Sequence, residues 1–154
     1  MRSLELPAGS VLIMSKGSPD GVYTLRKGLI GMFDRLDRLI IVVYQGESFG
    51  YEAMYGLSAM YTAKSLTFVE VDLYEPSEYR EKLDEGAKKK VLRTVARWEW
   101  LVHKRYGLKT EDRMKDILRE LKDMNVSETA MNQILVSLDI NDALAFEKLR
   151  GEMM

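Results

Sequence analysis

Glycine falls at positions 9, 17, 21, 28, 31, 46, 50 and 56, and the stretches between are short and rich in valine, isoleucine, tyrosine and phenylalanine. A chain broken this often does not build long helices, because an interior glycine costs a helix about 1 kcal/mol and glycine suits tight turns. Residues 11–14, 22–25, 29–33, 39–44 and 68–73 read as strands bounded by Gly, Pro, Ser and Asp. The stretch 33–39, with Asp34 and Asp37, reads as a hairpin connection. Short strands at intervals of roughly ten residues predict a small barrel or sandwich.

The character changes near Glu85. From there to the end there is no proline, and apolar residues recur at helical spacing. Val91, Val95, Trp98 and Val102 are separated by four, three and four residues, which predicts a helix over 88–106 with one apolar stripe. Gly107 supplies a stop, and Thr110 with Glu111 and Asp112 supplies a start for a second helix. That helix, 113–124, carries Met114, Ile117, Leu118 and Leu121 on one face. Ser127 caps a third helix to about Ser137, and a fourth begins at Asn141 and ends near Gly151.

Composition excludes much chemistry. The 154 residues contain no cysteine and one histidine, which removes disulfides, thiolate metal sites and cysteine nucleophiles. His103 reads as a helix-surface residue. Residues 1–83 contain no histidine, so a metal-dependent enzyme built on a cupin-like roll lacks its ligands. With no Ser/His/Asp set or phosphate loop either, the expectation is a non-enzymatic protein without catalytic residues, metal or cofactor. The longest apolar runs are too short to span a bilayer and the start lacks a signal-peptide core, so a cytoplasmic protein is expected.

The order of motifs over residues 6–83 resembles the cyclic-nucleotide-binding β-roll of the cyclic-AMP receptor protein and FNR-type regulators. The matching residues are Leu6-Pro7-Ala8-Gly9, Gly17-Ser18-Pro19-Asp20, Val22 to Gly28, and Gly46-Glu47-Ser48-Phe49-Gly50. The closing strand 68–73 and a following helix through Tyr79 and Leu83 fit as well. The resemblance implies an α+β chain: a jelly-roll-like β-roll over 1–83, a long dimerisation helix over 84–107, and a helical, helix-turn-helix-like module without a wing over 108–154. In that module Leu138-Asp139-Ile140-Asn141 stands in the turn, with Asp139 where such turns usually carry glycine. Val91, Val95, Trp98 and Val102 are the expected interface of a homodimer, since that stripe must be buried somewhere.

Two departures bear on function. The family holds its nucleotide with a Glu directly after the Phe-Gly pair and an Arg some ten residues later. Here Tyr51 follows Gly50, Glu52 is displaced by one, and residues 51–63 contain no Arg or Lys. A buried phosphate without a cationic partner is costly, and Lys64 lacks the planar fork of arginine. Cyclic nucleotide is therefore not expected to bind. An effector pocket, if there is one, would be lined by Phe49, Gly50, Tyr51, Glu52, Met54, Tyr61 and Lys64, either filled by the protein's own side chains or open to an apolar ligand. The second departure is in the reading helix, where Asp142 and Glu147 stand in place of arginines and would repel phosphates.

Basic residues concentrate elsewhere. Residues 88–105 hold seven cations against one acid, Glu99. These form either a solvated helix face or, with Lys148 and Arg150, a contact surface for nucleic acid or an acidic partner, through Lys88, Lys89, Arg93 and Arg97. Two functions follow: a transcriptional regulator with altered or lost nucleotide binding and an atypical DNA-reading helix, or a protein-interaction scaffold that keeps the regulator's architecture. DNA and a protein partner both stay open, and a membrane is not expected.

Overall fold

The computed structural model describes residues 1–153. Eight strands come first: β1 (Arg2–Leu6), β2 (Val11–Ile13), β3 (Val22–Lys27), β4 (Ile30–Phe33), β5 (Leu39–Val43), β6 (Ser48–Phe49), β7 (Thr62–Ser65) and β8 (Val69–Tyr74). A 3-10 turn, Tyr51–Tyr55, lies between β6 and β7. Five helices follow: α1 (Pro76–Glu81), α2 (Glu85–Arg105), α3 (Thr110–Asp123), α4 (Glu128–Ser137) and α5 (Ile140–Met153). The expected α+β order of roll and helices is the observed one.

The strands form two antiparallel sheets, ordered β1-β8-β3-β6 and β2-β7-β4-β5. Alternation of side chains along each strand sends one set inward. Tyr23, Leu25, Met32, Ile41, Phe49, Ala63 and Val71 meet between the sheets as a buried core. Gly28 marks a corner at which only glycine fits: its φ is +89°, and an added Cβ would lie 2.1 Å from the Phe68 carbonyl oxygen. The periodicity reading does not show β1, β6 and β7, because each is short or half-exposed and carries polar residues on its outer side.

Helix α2 starts three residues earlier than its apolar stripe suggested, because the Asp84 carboxylate accepts from the Ala87 amide at 2.8 Å and caps it. Ser127 caps α4 in the same way, accepting from Ala130 at 3.1 Å. Thr110 is the first residue of α3 rather than its cap.

The helices after Gly107 do not stand apart from the roll. Met114, Ile117, Leu118, Leu121, Met131, Ile134, Phe146 and Leu149 pack with Leu29, Phe33, Leu39, Val42 and Leu66 in one buried cluster. The outer face of the β2-β7-β4-β5 sheet is thus the floor on which α3, α4 and α5 lie. A sequence boundary at 107/108 is not a boundary in packing.

Candidate functional site

Strand β5 is the edge of its sheet, and an open edge leaves backbone groups without partners. Side chains from three helices take them. Arg97 of α2 donates to the Val42 carbonyl at 3.2 Å, Arg105 of α2 to Ile40 at 2.9 Å, and Arg113 of α3 to Leu39 at 2.7 Å. The Asp142 carboxylate of α5 accepts from the Leu39 amide at 2.8 Å and binds Arg113 at 2.6 Å. Arg105 also binds Asp116 at 2.9 Å and Glu120 at 3.0 Å, while Arg97 binds Glu47 at 2.7 Å and stacks on the Tyr44 ring. Arg105, Arg113 and Asp142 are buried. Charged side chains are rarely buried unless paired, and pairing here includes backbone acceptors as well as carboxylates. Periodicity could not find Arg105 and Arg113, because it scores a buried arginine as a surface position.

These contacts correct two expectations. Asp142 does not face outward to repel phosphates; it is inside, neutralised by Arg113. Arg97 is not free for nucleic acid, being held between Glu47, Val42 and Tyr44. Lys88 pairs loosely with Glu85 at 3.6 Å, Lys148 binds Glu111 at 3.0 Å, and Arg150 binds Asn132 at 2.7 Å. Lys89 and Arg93 are exposed without a carboxylate partner among the described residues.

The dimer stripe is also redistributed. Trp98 and Val102 pack against the core of this chain's own roll, and Val91 is half-buried, so three of the four expected residues turn inward. The inward face runs Val91, Thr94, Trp98, Leu101 and Arg105, at intervals of three and four. It shares Val91 and Trp98 with the expected stripe, but two of its members are a threonine and an arginine, so the hydropathy stripe is rotated partway from the face that packs. Val95 lies on the opposite face with Leu92, Ala96 and Trp100, all exposed.

The seven residues expected around an effector do not converge. Phe49 is fully buried in the roll, stacked on Tyr23 with ring centroids 5.2 Å apart. Gly50 takes φ +87° and turns the chain out of β6. Tyr51 and Met54 then leave the roll and pack with Val22, Tyr74, Tyr79 and Leu83 on the other side of the sheet. Burial, then Tyr79, holds the Tyr51 hydroxyl far above the ordinary tyrosine range. Glu52 closes its own loop, accepting from the Met60 amide at 3.1 Å. Tyr61 packs against the roll core and lines a cavity with Asp34, Arg38 and Tyr106. Lys64 is on the face of β7 opposite Ala63, and its ammonium sits 4.5 Å from the centre of the Phe33 ring, outside the roll. The Trp98 indole N–H is buried without a hydrogen-bond partner among the described residues.

Among the described residues there is no cluster of His, Cys, Asp and Glu suited to a metal ion, and no helix long and apolar enough to cross a membrane. No protein-family model matches the chain, and no curated protein sequence matches it. Solved structures do. A CRP-family transcriptional regulator from Thermus thermophilus is 22% identical, with 97% of this chain and 85% of that one covered at a TM-score of 0.65. FixK2 from Bradyrhizobium japonicum is 15% identical, with 98% and 85% covered at a TM-score of 0.66. Cyclic-AMP-bound PfPKA-R is 19% identical over 71% of this chain and 38% of that one, at a TM-score of 0.57. The chain therefore has the cyclic-nucleotide-binding-like fold, a β-roll followed by helices, in the arrangement seen in CRP/FNR-family regulators.

Proposed function

We propose that the chain is a non-enzymatic transcriptional regulator that no longer responds to cyclic nucleotide. The observation that carries this reading is a nucleotide-binding-like roll, in a regulator layout, without a cation for the phosphate. Residues 51–63 hold no Arg or Lys, Lys64 sits over the Phe33 ring outside the roll, and Phe49 is packed in the roll core with Tyr61, Trp98 and Val102 against it. A phosphate placed there would be desolvated without a cation, a cost no neighbouring group offsets. Similarity to CRP/FNR-family structures over 97% and 98% of this chain supports reading α4–α5 as the counterpart of a helix-turn-helix.

Homodimerisation is part of the proposal, through the outer face of α2. Leu92, Val95, Ala96 and Trp100 form an apolar stripe along the side of the helix turned away from the roll.

A second reading is favoured by one observation: three large apolar residues of α4–α5 are exposed. Val136 is 79% exposed, Ile140 66% and Leu144 61%. Such residues suit a protein contact better than a phosphate backbone. Fluorescence anisotropy with a labelled duplex from upstream of the chain's own gene, against a scrambled duplex, separates the two. Sequence-selective binding with a steep salt dependence supports the regulator. Absent or non-selective binding assigns the module to protein contact.

A further inference from the structure

We infer that a small cavity outside the roll, at the seam between the β1-β8-β3-β6 sheet and helices α1 and α2, is a binding site for a small oxyanion, a carboxylate or a phosphate ester. The site goes beyond the regulator reading, and its test does not depend on DNA.

The sheet prepares it. Ser3, Asp72, Thr24 and Ser48 are cross-strand neighbours in one row over all four strands. They stand on the face opposite the buried Tyr23, Leu25 and Phe49. Ser3 donates to Asp72 at 2.8 Å, and Arg26 neutralises Asp72 at 2.9 Å. The Thr24 and Ser48 hydroxyls bond each other at 2.8 Å. At its β6 end this polar row opens into a half-enclosed cavity of 170 Å³. Tyr51 and Tyr79 wall it from the 3-10 turn and α1, and Val91 and Thr94 wall it from α2. At about 30 Å³ per water, it takes a group of five or six water-sized atoms, such as a phosphate or a carboxylate on a short stem.

The charge balance selects an anion. Lys82 and Lys90 both line the cavity, and neither has a carboxylate partner among the described residues. Lys82 donates to the Tyr74 hydroxyl at 2.6 Å, its ammonium 4.0 Å from the centre of that ring, with no carboxylate to neutralise it among the described residues. Lys90 lies over Gly46, where an added Cβ would be 2.8 Å from its Nζ, so the glycine leaves room for the ammonium. The one acid in the lining, Glu47, is already spent on Arg97 at 2.7 Å and the Tyr44 amide at 2.8 Å. Two cations and a neutralised carboxylate leave the cavity net positive, with the Thr24 and Ser48 hydroxyls, bonded to each other, at its floor. Charge-assisted bonds from lysine with neutral donors from Ser, Thr and Tyr are the groups that recognise an oxyanion.

The test is a ¹H–¹⁵N correlation titration of the full chain with inorganic phosphate and, separately, acetate, at constant ionic strength in chloride. Saturable shifts at Gly46, Glu47, Ser48 and Thr94 with a Kd of about 1 mM or tighter for either probe are expected. Whichever probe saturates names the ligand's class. The variant Lys82→Gln/Lys90→Gln should weaken binding about tenfold or more, and Lys82→Arg/Lys90→Arg should retain it. Both lysines are exposed, so the spectrum away from the seam should overlay that of the parent. Shifts that stay linear for both probes, or that survive the glutamine variant, overturn the site.

Discussion

Arg113 and Asp142 show what a buried ion pair does at the scale of single residues. Each is almost fully enclosed, and both also bond Leu39, one through its carbonyl and the other through its amide. Removing one partner leaves the other charge stranded, which typically costs 3–5 kcal/mol, whereas replacing the pair with apolar residues is often neutral. Asp142→Asn should therefore destabilise the chain by about 3 kcal/mol in urea denaturation, and Asp142→Leu/Arg113→Met should recover part of it. Asp34 and Asp116 make a pH prediction. Burial alone would raise both carboxyls, but Arg38 with the Leu36 and Arg38 amides around Asp34, and Lys104 with Arg105 around Asp116, hold them below the ordinary value. Both groups bind their proton more weakly folded than unfolded, so their contribution is complete above the unfolded value near 4 and is lost as pH falls through the folded values. The urea midpoint should hold from neutral pH to about pH 5 and drop below about pH 4, with a shallower drop in Asp34→Asn/Asp116→Asn.

Helix α2 carries the argument at the scale of elements, because it has two faces with different work. The inner face lays Trp98, Leu101 and Val102 on the roll and sends Arg97 and Arg105 to the β5 edge. The outer face holds Leu92, Val95, Ala96 and Trp100 in solvent. If the outer face pairs two chains, Leu92→Glu/Trp100→Glu should convert a dimer to a monomer in light-scattering mass measurement, with the far-UV spectrum unchanged. A mass unchanged by the substitutions would place the contact elsewhere. The helix itself was plain in the sequence, as were the apolar faces of α3 and the Ser127 cap of α4. Its orientation was not, since the inward stripe is completed by Thr94 and Arg105. Strands β6 and β7 were hidden for a related reason: β6 is two residues long, and β7 alternates Ala63 inside with Lys64 outside, too short a pattern to register.

On the scale of the whole molecule, helices α3–α5 share one buried cluster with the outer face of a roll sheet. The cluster that joins Leu29, Phe33 and Leu66 to Met114, Ile134 and Phe146 predicts cooperative unfolding, with the tryptophan fluorescence and far-UV transitions coincident in urea. A helical segment that melted first would contradict that packing. The glycine order and the Phe49-Gly50 turn make the roll legible in the sequence, and the missing arginine is the departure from the family's phosphate contact on which the proposed function rests. The residues that pack against the roll core are only partly legible. Tyr61 reads as a pocket residue, whereas Trp98 reads as a dimer contact, because nothing in a linear spacing says which neighbour a helix face meets.

The proposed loss of cyclic-nucleotide response is most directly tested by isothermal titration calorimetry with cyclic AMP and cyclic GMP. It predicts no saturable heat up to about 1 mM of either nucleotide. Saturable binding in the micromolar range would contradict it, because the phosphate would then be held without an Arg or Lys from residues 51–63.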